Sequence, residues 1–240
     1  MIWNEGGRLG QIRIAIDGPA GSGKSTMARL LAEKLGYIYI DTGAMYRAIT
    51  LKAQREGIGL EEPDRLTSLA LGTKLRILGT RPGQNGVPLC HIEMDDEDVS
   101  EEIRSAQVTR GVSPVSAVSG VRRALVREQR EMARAGGVVM DGRDIGTVVL
   151  PDAELKVFLN ADPETRVERR RLELESKGIH QPLEDIHKQV ADRDYYDSHR
   201  VDSPLRPAED AVMLDTTSLS IGEVMRELLR LTGERGADVL

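Results

Sequence analysis

The sequence predicts an α/β fold in which helices cover a parallel sheet. Short apolar runs alternate with segments of helical periodicity along the chain, and this alternation is typical of that fold class. The 240 residues are 40% hydrophobic and 30% charged, a composition that supplies a buried core and excludes wholesale disorder. The length allows one such domain with an insertion, or two small domains.

Five apolar runs are predicted to be the strands of the sheet. Each run is four to six residues long, which is the usual length of a buried strand. They span residues 12–17, 37–41, 138–141, 155–160 and 211–215.

Three of the predicted helices follow strands directly. They span residues 25–35, 44–56 and about 163–177. Gly36 and Gly57 are expected to end the first two, because glycine readily adopts the conformation that terminates a helix. Asp162 and Pro163 supply a cap and a first-turn proline for the third helix.

The closing helix is predicted to begin at Ser220. Glu223 follows three residues later, and the pair matches a capping box. The apolar face of this helix is predicted to consist of Ile221, Val224, Leu228 and Leu231.

Residues 74–105 interrupt the alternation of strand and helix. An apolar run at 75–78 and an alternating run at 87–94 flank a turn-rich segment at 79–86, which predicts an antiparallel hairpin. We therefore expect a small lobe, approximately residues 61–105, inserted into a core formed by residues 11–60 and 106–240.

Composition excludes several other classes of protein. The net charge of −6 argues against non-specific coating of nucleic acid. Cys90 is the only cysteine, which excludes an internal disulfide and a cysteine-built metal site and fits a reducing compartment. No apolar run reaches eighteen residues, and residues 1–10 lack the apolar centre of a signal peptide. We expect a soluble, cytoplasmic protein without a membrane partner.

The segment between the first strand and the first helix matches the phosphate-binding pattern GxxxxGK[ST]. Glycines let backbone N–H groups wrap closely around phosphates, and the following helix adds its positive dipole end. Lys24 supplies a charge for the β and γ phosphates, and Ser25 supplies a hydroxyl for Mg²⁺. The predicted nucleotide-binding residues are Gly18, Pro19, Ala20, Gly21, Ser22, Gly23, Lys24, Ser25 and Thr26.

A second anion site is predicted at the ends of two other strands. Arg47 lies in the segment 41–47 and Arg143 in the segment 141–147, and each segment contains glycine and a hydroxyl side chain. Ligands of open parallel sheets bind at the carboxyl ends of the strands, so we expect both arginines to converge on one cleft with Lys24. Either arginine alone is also compatible with a solvated salt bridge.

These motifs together resemble the bacterial-type cytidylate kinase family. The phosphate-binding loop, DTGAMYR (41–47), the hairpin insertion, DGRDIGTVV (141–149) and RDYYDSHR (193–200) occur in that order over nearly the whole chain. The resemblance implies the nucleoside monophosphate kinase fold, with a five-stranded parallel sheet, a monophosphate-binding lobe and a mobile lid at about residues 164–182. It also implies transfer of the γ-phosphoryl group of ATP to CMP or dCMP in pyrimidine nucleotide metabolism, by a monomer.

The resemblance assigns a second set of residues to the monophosphate. Phosphate contacts fall on Thr42, where many relatives have serine, and on Arg47 and Arg143. Sugar contacts fall on Tyr46, Arg193, Asp197 and Arg200, and base contacts on Ser113, Arg122 and Asp144. The lid arginines expected to close over the phosphates are Arg166 and Arg170.

The chemistry of cytosine fits the base assignment. Asp144 can accept from the 4-amino group, and an arginine can donate to N3 and O2. Uracil would turn O4 toward the carboxylate and leave two acceptors face to face.

The transfer itself needs charge cancellation more than a base. The acceptor phosphate has a second pKa of about 6 and is already dianionic at neutral pH, so no general base is required. Lys24, Arg47, Arg143 and Mg²⁺ are expected to offset repulsion between the two nucleotides. Either Asp41 or Asp141 is expected to reach the Mg²⁺ through water.

Two alternatives remain open at this point. One is a kinase for another small acceptor, such as UMP or AMP. The other is a P-loop switch that hydrolyses nucleotide slowly and recruits a partner; the chain lacks the N-K-x-D motif that reads guanine in such switches.

Overall fold

The computed structural model describes residues 11–83, 88–176 and 178–236. The predictions that fall outside the described residues concern residues 1–10, the end of the predicted turn at 79–86 with the first residue of the run at 87–94, Lys177 at the expected end of a helix, and the last four residues of the predicted core.

The elements follow one another in this order: β1 (Arg13–Asp17), α1 (Lys24–Leu35), β2 (Ile38–Asp41), α2 (Thr42–Arg55), α3 (Pro63–Gly72), β3 (Leu75–Pro82), β4 (Pro88–Met94), β5 (Glu97–Asp98), α4 (Ala106–Ala117), α5 (Ser119–Ala133), β6 (Val138–Gly142), β7 (Leu155–Asn160), α6 (Pro163–Ser176), α7 (Leu183–His199), β8 (Val212–Asp215) and α8 (Ile221–Glu234). A 3₁₀ turn covers Glu102–Arg104, and a π-helical turn covers Ile145–Val149.

The main sheet has five strands in the order β2-β6-β1-β7-β8. The pairs β1–β6, β1–β7 and β7–β8 are parallel, and helix α1 packs against β6 and α8. The predicted parallel sheet covered by helices is therefore confirmed. Each predicted strand lies within one residue of its observed bounds, because the short length of these apolar runs and the glycine and polar residues next to them favour strands over helices.

The chain divides into two compact units. One contains the residues up to Ile38 and those from Ala135 onward, and is called the core unit here; the other, Tyr39–Arg134, is called the inserted unit. The predicted lobe at 61–105 lies within the inserted unit, and its boundaries stay a prediction.

The predicted hairpin forms a three-stranded antiparallel sheet in the order β3-β4-β5. One part of the prediction is wrong, because residues 79–82, expected in the turn, are the second half of β3. Gly79 has a φ of 96°, and the pairing register shifts between Ile77 and Thr80. The glycine thus introduces a bulge into the strand without ending it.

Helices α3, α4 and α5 of the inserted unit were not predicted. Pro114 and Gly111 lie inside α4, and both residue types argue against a helix from sequence. The structure explains Gly111, since a Cβ atom there would come within 2.9 Å of the Thr50 side chain on α2. Gly120 at the start of α5 has the same role against Thr67 of α3, at 2.0 Å. Close packing of helices therefore requires these glycines.

The closing helix confirms the predicted capping box of Ser220 and Glu223. Val224, Leu228 and Leu231 are buried as expected, but Ile221 is 60% exposed. Side chains point toward the N-terminus of a helix, so the first residue of α8 extends beyond its end instead of onto the core. Among the described residues, no helix has both the length and the apolar composition needed to cross a membrane.

Candidate active site

A glycine-rich loop, residues 18–23, joins β1 to α1 in the core unit. A Cβ atom on Gly18 would approach the carbonyl oxygen of Leu159 to 2.1 Å, so no other residue fits there. Gly23 has a φ of 88° and precedes α1 without capping it by a side chain. The loop therefore leaves the backbone N–H groups of the first helical turn available to an anion.

Lys24 follows this loop and is buried. Its Nζ atom donates to the carbonyl oxygen of Pro19 at 3.0 Å. Burial first, and next the positive charge of Arg143, lowers the pKa of Lys24 to about 7. A polyanion bound to the loop would favour the charged ammonium again.

Ser25 and Asp141 meet at the ends of α1 and β6. The Ser25 hydroxyl donates to Oδ2 of Asp141 at 2.7 Å, and Asp141 is buried. Hydroxyl and carboxylate oxygens are hard ligands that suit Mg²⁺, which usually takes one or two protein ligands and completes its shell with phosphates and water. The donor set therefore fits an ion shared with a nucleotide.

Asp41, the other carboxylate considered for Mg²⁺, is already engaged within the inserted unit. One oxygen accepts from the backbone N–H of Ala44 at 2.9 Å and so caps α2. The other accepts from Nη2 of Arg47 at 2.9 Å and lies 3.5 Å from Nη2 of Arg104. The charges of Arg47 and Arg104 outweigh the effect of burial and lower the pKa of Asp41.

Five of the residues assigned to the monophosphate form a network in the core unit. Nε of Arg143 donates to Oδ2 of Asp197 at 2.6 Å, and Nε of Arg193 lies 4.0 Å from the same oxygen. Nη2 of Arg200 lies 3.5 Å from Oδ1 of Asp144. Burial alone would raise the pKa of Asp197, but Arg143 and Arg193 hold it below its usual range. Arg143 and Asp144, directly after β6, thus each pair with a residue at the end of α7, namely Asp197 and Arg200.

Arg166 lies on α6 and is buried against the phosphate-binding loop. It donates to the carbonyl oxygen of Ala20 at 3.2 Å and to that of Ala161 at 3.1 Å. It also pairs with Asp194 of α7 at 2.5 Å. In this arrangement it contacts the glycine-rich loop through Ala20, and a catalytic role for it stays a prediction.

Arg170, the second predicted lid arginine, pairs with Glu173 on the same helix at 2.8 Å. Its neighbour Arg169, which the sequence did not single out, donates to the carbonyl oxygen and hydroxyl of Thr216 at 2.6 and 2.9 Å. The Thr216 hydroxyl in turn donates to the carbonyl oxygen of Ser22. Arg169 therefore supports the loop from the side of α6.

Arg104 is the second residue that sequence reasoning missed, and it lies in the inserted unit. Its guanidinium shares the Asp41 carboxylate with Arg47, and its Nε atom is buried without a hydrogen-bond partner in the described structure. Asp41 and Arg104 are 63 positions apart. No local pattern could reveal this contact, because it depends on the path of the whole hairpin.

The remaining residues assigned to the monophosphate also belong to the inserted unit. Thr42 is buried at the start of α2, and the guanidinium of Arg122 lies 5.5 Å from the ring centre of Tyr46. Nη1 of Arg122 also donates to the carbonyl oxygen of Ser116 at 3.2 Å. Ser113 is half-buried on α4. The predicted convergence of Arg47 with Lys24 and Arg143, which lie in the core unit, stays a prediction.

Comparison with known proteins decides the family. A sequence model for the family described as cytidylate kinase matches residues 14–234. The chain belongs to the cytidylate kinase family. The cytidylate kinase of Ligilactobacillus salivarius is 49% identical over 225 residues, which cover 94% of this chain and 98% of that one. The cytidylate kinase of Desulforamulus reducens is 51% identical over 90% of this chain and 94% of that one.

Membership of the cytidylate kinase family makes the protein a kinase, that is, a phosphotransferase. Among solved structures, an uncharacterized protein from Eubacterium ventriosum superposes with a TM-score of 0.50 at 13% sequence identity. The match covers 93% of this chain and 99% of that one. This likeness agrees with the fold alone.

Proposed function

We propose that this kinase transfers the γ-phosphoryl group of ATP to CMP and dCMP. One observation carries the proposal. In the sheet, Asp17 of β1 is paired with Gly142 of β6; the phosphate-binding loop begins at the next residue of one strand, and Arg143 and Asp144 follow on the other. The loop proposed to bind ATP and the two residues proposed to bind the phosphate and base of CMP therefore begin at adjacent strand ends. A transfer between two nucleotides requires such proximity.

The donor side rests on the loop at 18–23, Lys24 and Ser25. Backbone N–H groups would hold the phosphates, and the Lys24 ammonium would leave Pro19 for the β and γ phosphates. Mg²⁺, held by Ser25 and by Asp141 directly or through water, would neutralise charge on the phosphates.

The acceptor side rests on arginines whose carboxylate partners hold them in place. Asp197 fixes Arg143, and Asp41 fixes Arg47. A dianionic phosphate would compete with these carboxylates for the guanidinium groups, which suit the geometry of phosphate oxygens. The acceptor phosphate needs no general base, since it is already ionised at neutral pH.

The choice of cytosine rests on Asp144. The carboxylate is buried, and Arg200 lies 3.5 Å away and balances its charge. A buried carboxylate can accept a hydrogen bond from the 4-amino group of cytosine. It disfavours uracil, because the O4 carbonyl is also a hydrogen-bond acceptor and both oxygens would be left unpaired.

The remaining expectations extend this proposal. Residues 61–105 would act as the monophosphate-binding lobe and residues 164–182 as the lid that excludes water during transfer.

We further propose a cytoplasmic monomer. Burial raises the pKa of the Cys90 thiol to about 12, so this cysteine suits a reduced, unreactive state.

A coupled assay for ADP release, run with CMP, dCMP, UMP and AMP in turn, tests the proposal. We expect rapid turnover with CMP and dCMP, slow turnover with UMP and almost none with AMP or without an acceptor. Rapid turnover with UMP or AMP and none with CMP would contradict the choice of cytosine. ADP release that no monophosphate accelerates would instead indicate a nucleotide-hydrolysing switch.

A further inference from the structure

Asp17 is a buried carboxylate to which the reaction described above gives no part. It is the last residue of β1 and is only 4% exposed. Its two oxygens accept hydrogen bonds from the backbone N–H groups of Ile145 at 2.8 Å and Gly146 at 2.7 Å. The charge of Lys24 also acts on this carboxylate. Both of these hydrogen bonds to the Asp17 side chain therefore come from the backbone of a segment 128 and 129 positions away.

That segment begins directly after the residues proposed to read the monophosphate. Ile145 and Gly146 open the π-helical turn Ile145–Val149, and Asp144 is its N-cap without a side-chain cap. The first N–H groups of a helical turn have no partner inside it, and Asp17 supplies one for two of them. The carbonyl oxygen of Asp144 accepts from the N–H groups of Val148 and Val149 at 2.9 and 3.1 Å. The backbone around Asp144 is thus fixed by two sets of hydrogen bonds, one from Ile145 and Gly146 to Asp17 and one from Val148 and Val149 to the Asp144 carbonyl.

Asp17 also immediately precedes the phosphate-binding loop. Its backbone is continuous with Gly18, while its side chain holds the segment after Asp144. One residue therefore links the phosphate-binding loop to the turn that directly follows Arg143 and Asp144. Two hydrogen bonds converge on the carboxylate at the end of β1. They therefore fix the position of residues 145 and 146 relative to that strand, in addition to stabilising the fold.

We propose that Asp17 is a positioning residue: it sets the place of Arg143 and Asp144 relative to the phosphate-binding loop, and so sets affinity and base choice for the monophosphate. This inference rests on the proposed function. Burial raises the pKa of Asp17 to about 7, although both N–H groups and Lys24 act in the opposite direction. A costly buried carboxylate is expected only where its hydrogen bonds are needed.

The test compares the full-length wild-type chain with Asp17→Asn. The amide keeps the size of the carboxylate but offers a single acceptor oxygen, so one of the two N–H groups loses its partner. We expect the Kd for CMP, measured by calorimetry, to rise about tenfold, the loss of roughly one hydrogen bond. The preference for CMP over UMP should fall, and the Kd for ATP should stay at the wild-type value.

Amide hydrogen exchange gives a readout that does not depend on activity. The N–H groups of Ile145 and Gly146 should exchange faster in Asp17→Asn, while those of β7 keep their protection. Gly146→Ala would place a Cβ atom 3.2 Å from Cδ of Lys156 and 3.4 Å from Oδ2 of Asp17, so we expect a small shift of Gly146 away from these two side chains. This variant should also raise the Kd for CMP and leave the Kd for ATP unchanged. It replaces Asp17→Asn in the test if that variant does not fold.

Thr232→Ala is the matched control for loss of a buried polar group. Thr232 is fully buried in α8, and its hydroxyl donates to the carbonyl oxygen of Leu228. This variant should lose stability with unchanged affinity for both nucleotides. The positioning role is overturned if Asp17→Asn weakens CMP and ATP equally, or leaves both the CMP affinity and the two exchange rates unchanged. A wild-type chain that binds CMP but transfers no phosphoryl group would refute the proposed function and leave this role standing.

Discussion

The hydroxyl of Ser25 donates a hydrogen bond to Oδ2 of Asp141 across 2.7 Å, although 116 positions separate them in the chain. Ser25 lies in the first turn of α1, and Asp141 lies near the carboxyl end of the neighbouring strand β6. Of the two carboxylates that the sequence left open as partners of Mg²⁺, this contact favours Asp141, and we propose that Asp141 is the one that reaches the ion. Asp41 instead caps α2 and pairs with two arginines.

Asp141→Asn should therefore weaken the response to Mg²⁺. The amide keeps the hydrogen bond to Ser25 but removes the negative charge that favours the cation. We expect the Mg²⁺ concentration for half-maximal turnover to rise about 10–100-fold, the usual effect of losing such a partner. Steady-state rates over a Mg²⁺ titration at saturating nucleotide measure this. Asp152→Asn, an exposed partner of Arg13, is the matched control, and an equal response in the two variants would exclude Asp141 from the metal site.

ATP binding should take up a proton through Lys24 in mildly alkaline solution. Without ligand, the pKa of Lys24 is about 7, so near pH 8 most of the side chain is neutral. Phosphates raise that pKa, and the complex then holds more protons than the free protein. Below the free pKa the side chain is already charged, so uptake should fade as the pH is lowered. Calorimetry in buffers of different ionisation enthalpy measures this uptake.

Lys24→Met provides the comparison for that measurement. It should retain the fold, lose the excess proton uptake and lower kcat by orders of magnitude. Proton uptake that persists unchanged in Lys24→Met would assign the titration to another group.

Asp144→Ala should reduce discrimination between pyrimidines. Removing the carboxylate should cost roughly 2–4 kcal/mol in kcat/KM for CMP, the scale of a buried charged hydrogen bond. UMP should lose less, because its O4 carbonyl gains nothing from that carboxylate. Parallel measurements of kcat/KM with both acceptors give the ratio; equal losses would mean that Asp144 does not select the base.

Arg104→Met should weaken binding of the monophosphate without changing binding of ATP. The substitution leaves the ion pair of Arg47 with Asp41 and removes a guanidinium that lies next to Arg47, which the sequence assigned to the anion site. We expect KM for CMP to rise about tenfold or more, as for loss of a charged hydrogen bond, with KM for ATP unchanged. Arg76→Met, an exposed hairpin arginine paired with Asp96, should change neither constant. If Arg104→Met behaves like that control, Arg104 does not belong to the acceptor site.

The sheet and the phosphate-binding loop could be predicted because their signals are local. An apolar run of a few residues followed by a glycine-rich turn and a helix fixes both identity and order, as in residues 12–35. The helices between 63 and 133 escaped prediction for the opposite reason. Gly111 and Gly120 resemble helix breakers in sequence, but in the fold they allow α2 with α4, and α3 with α5, to approach closely.

The candidate site shows the same division between local and long-range information. Lys24, Ser25 and Arg143 were proposed from the sequence because each lies in a short motif, and their roles stay predictions. Arg104 and Asp17 were not, since their partners lie 63 and 128 positions away. Their contacts depend on strand register and on the path of the inserted hairpin, which no nearby residue encodes.

Transfer of the phosphoryl group between the two nucleotides can be followed directly with ATP labelled at the γ-phosphorus. After incubation with unlabelled CMP, we expect the label in the β position of CDP, in an amount equal to the ADP formed. Label recovered as inorganic phosphate, at a rate that CMP does not change, would contradict it.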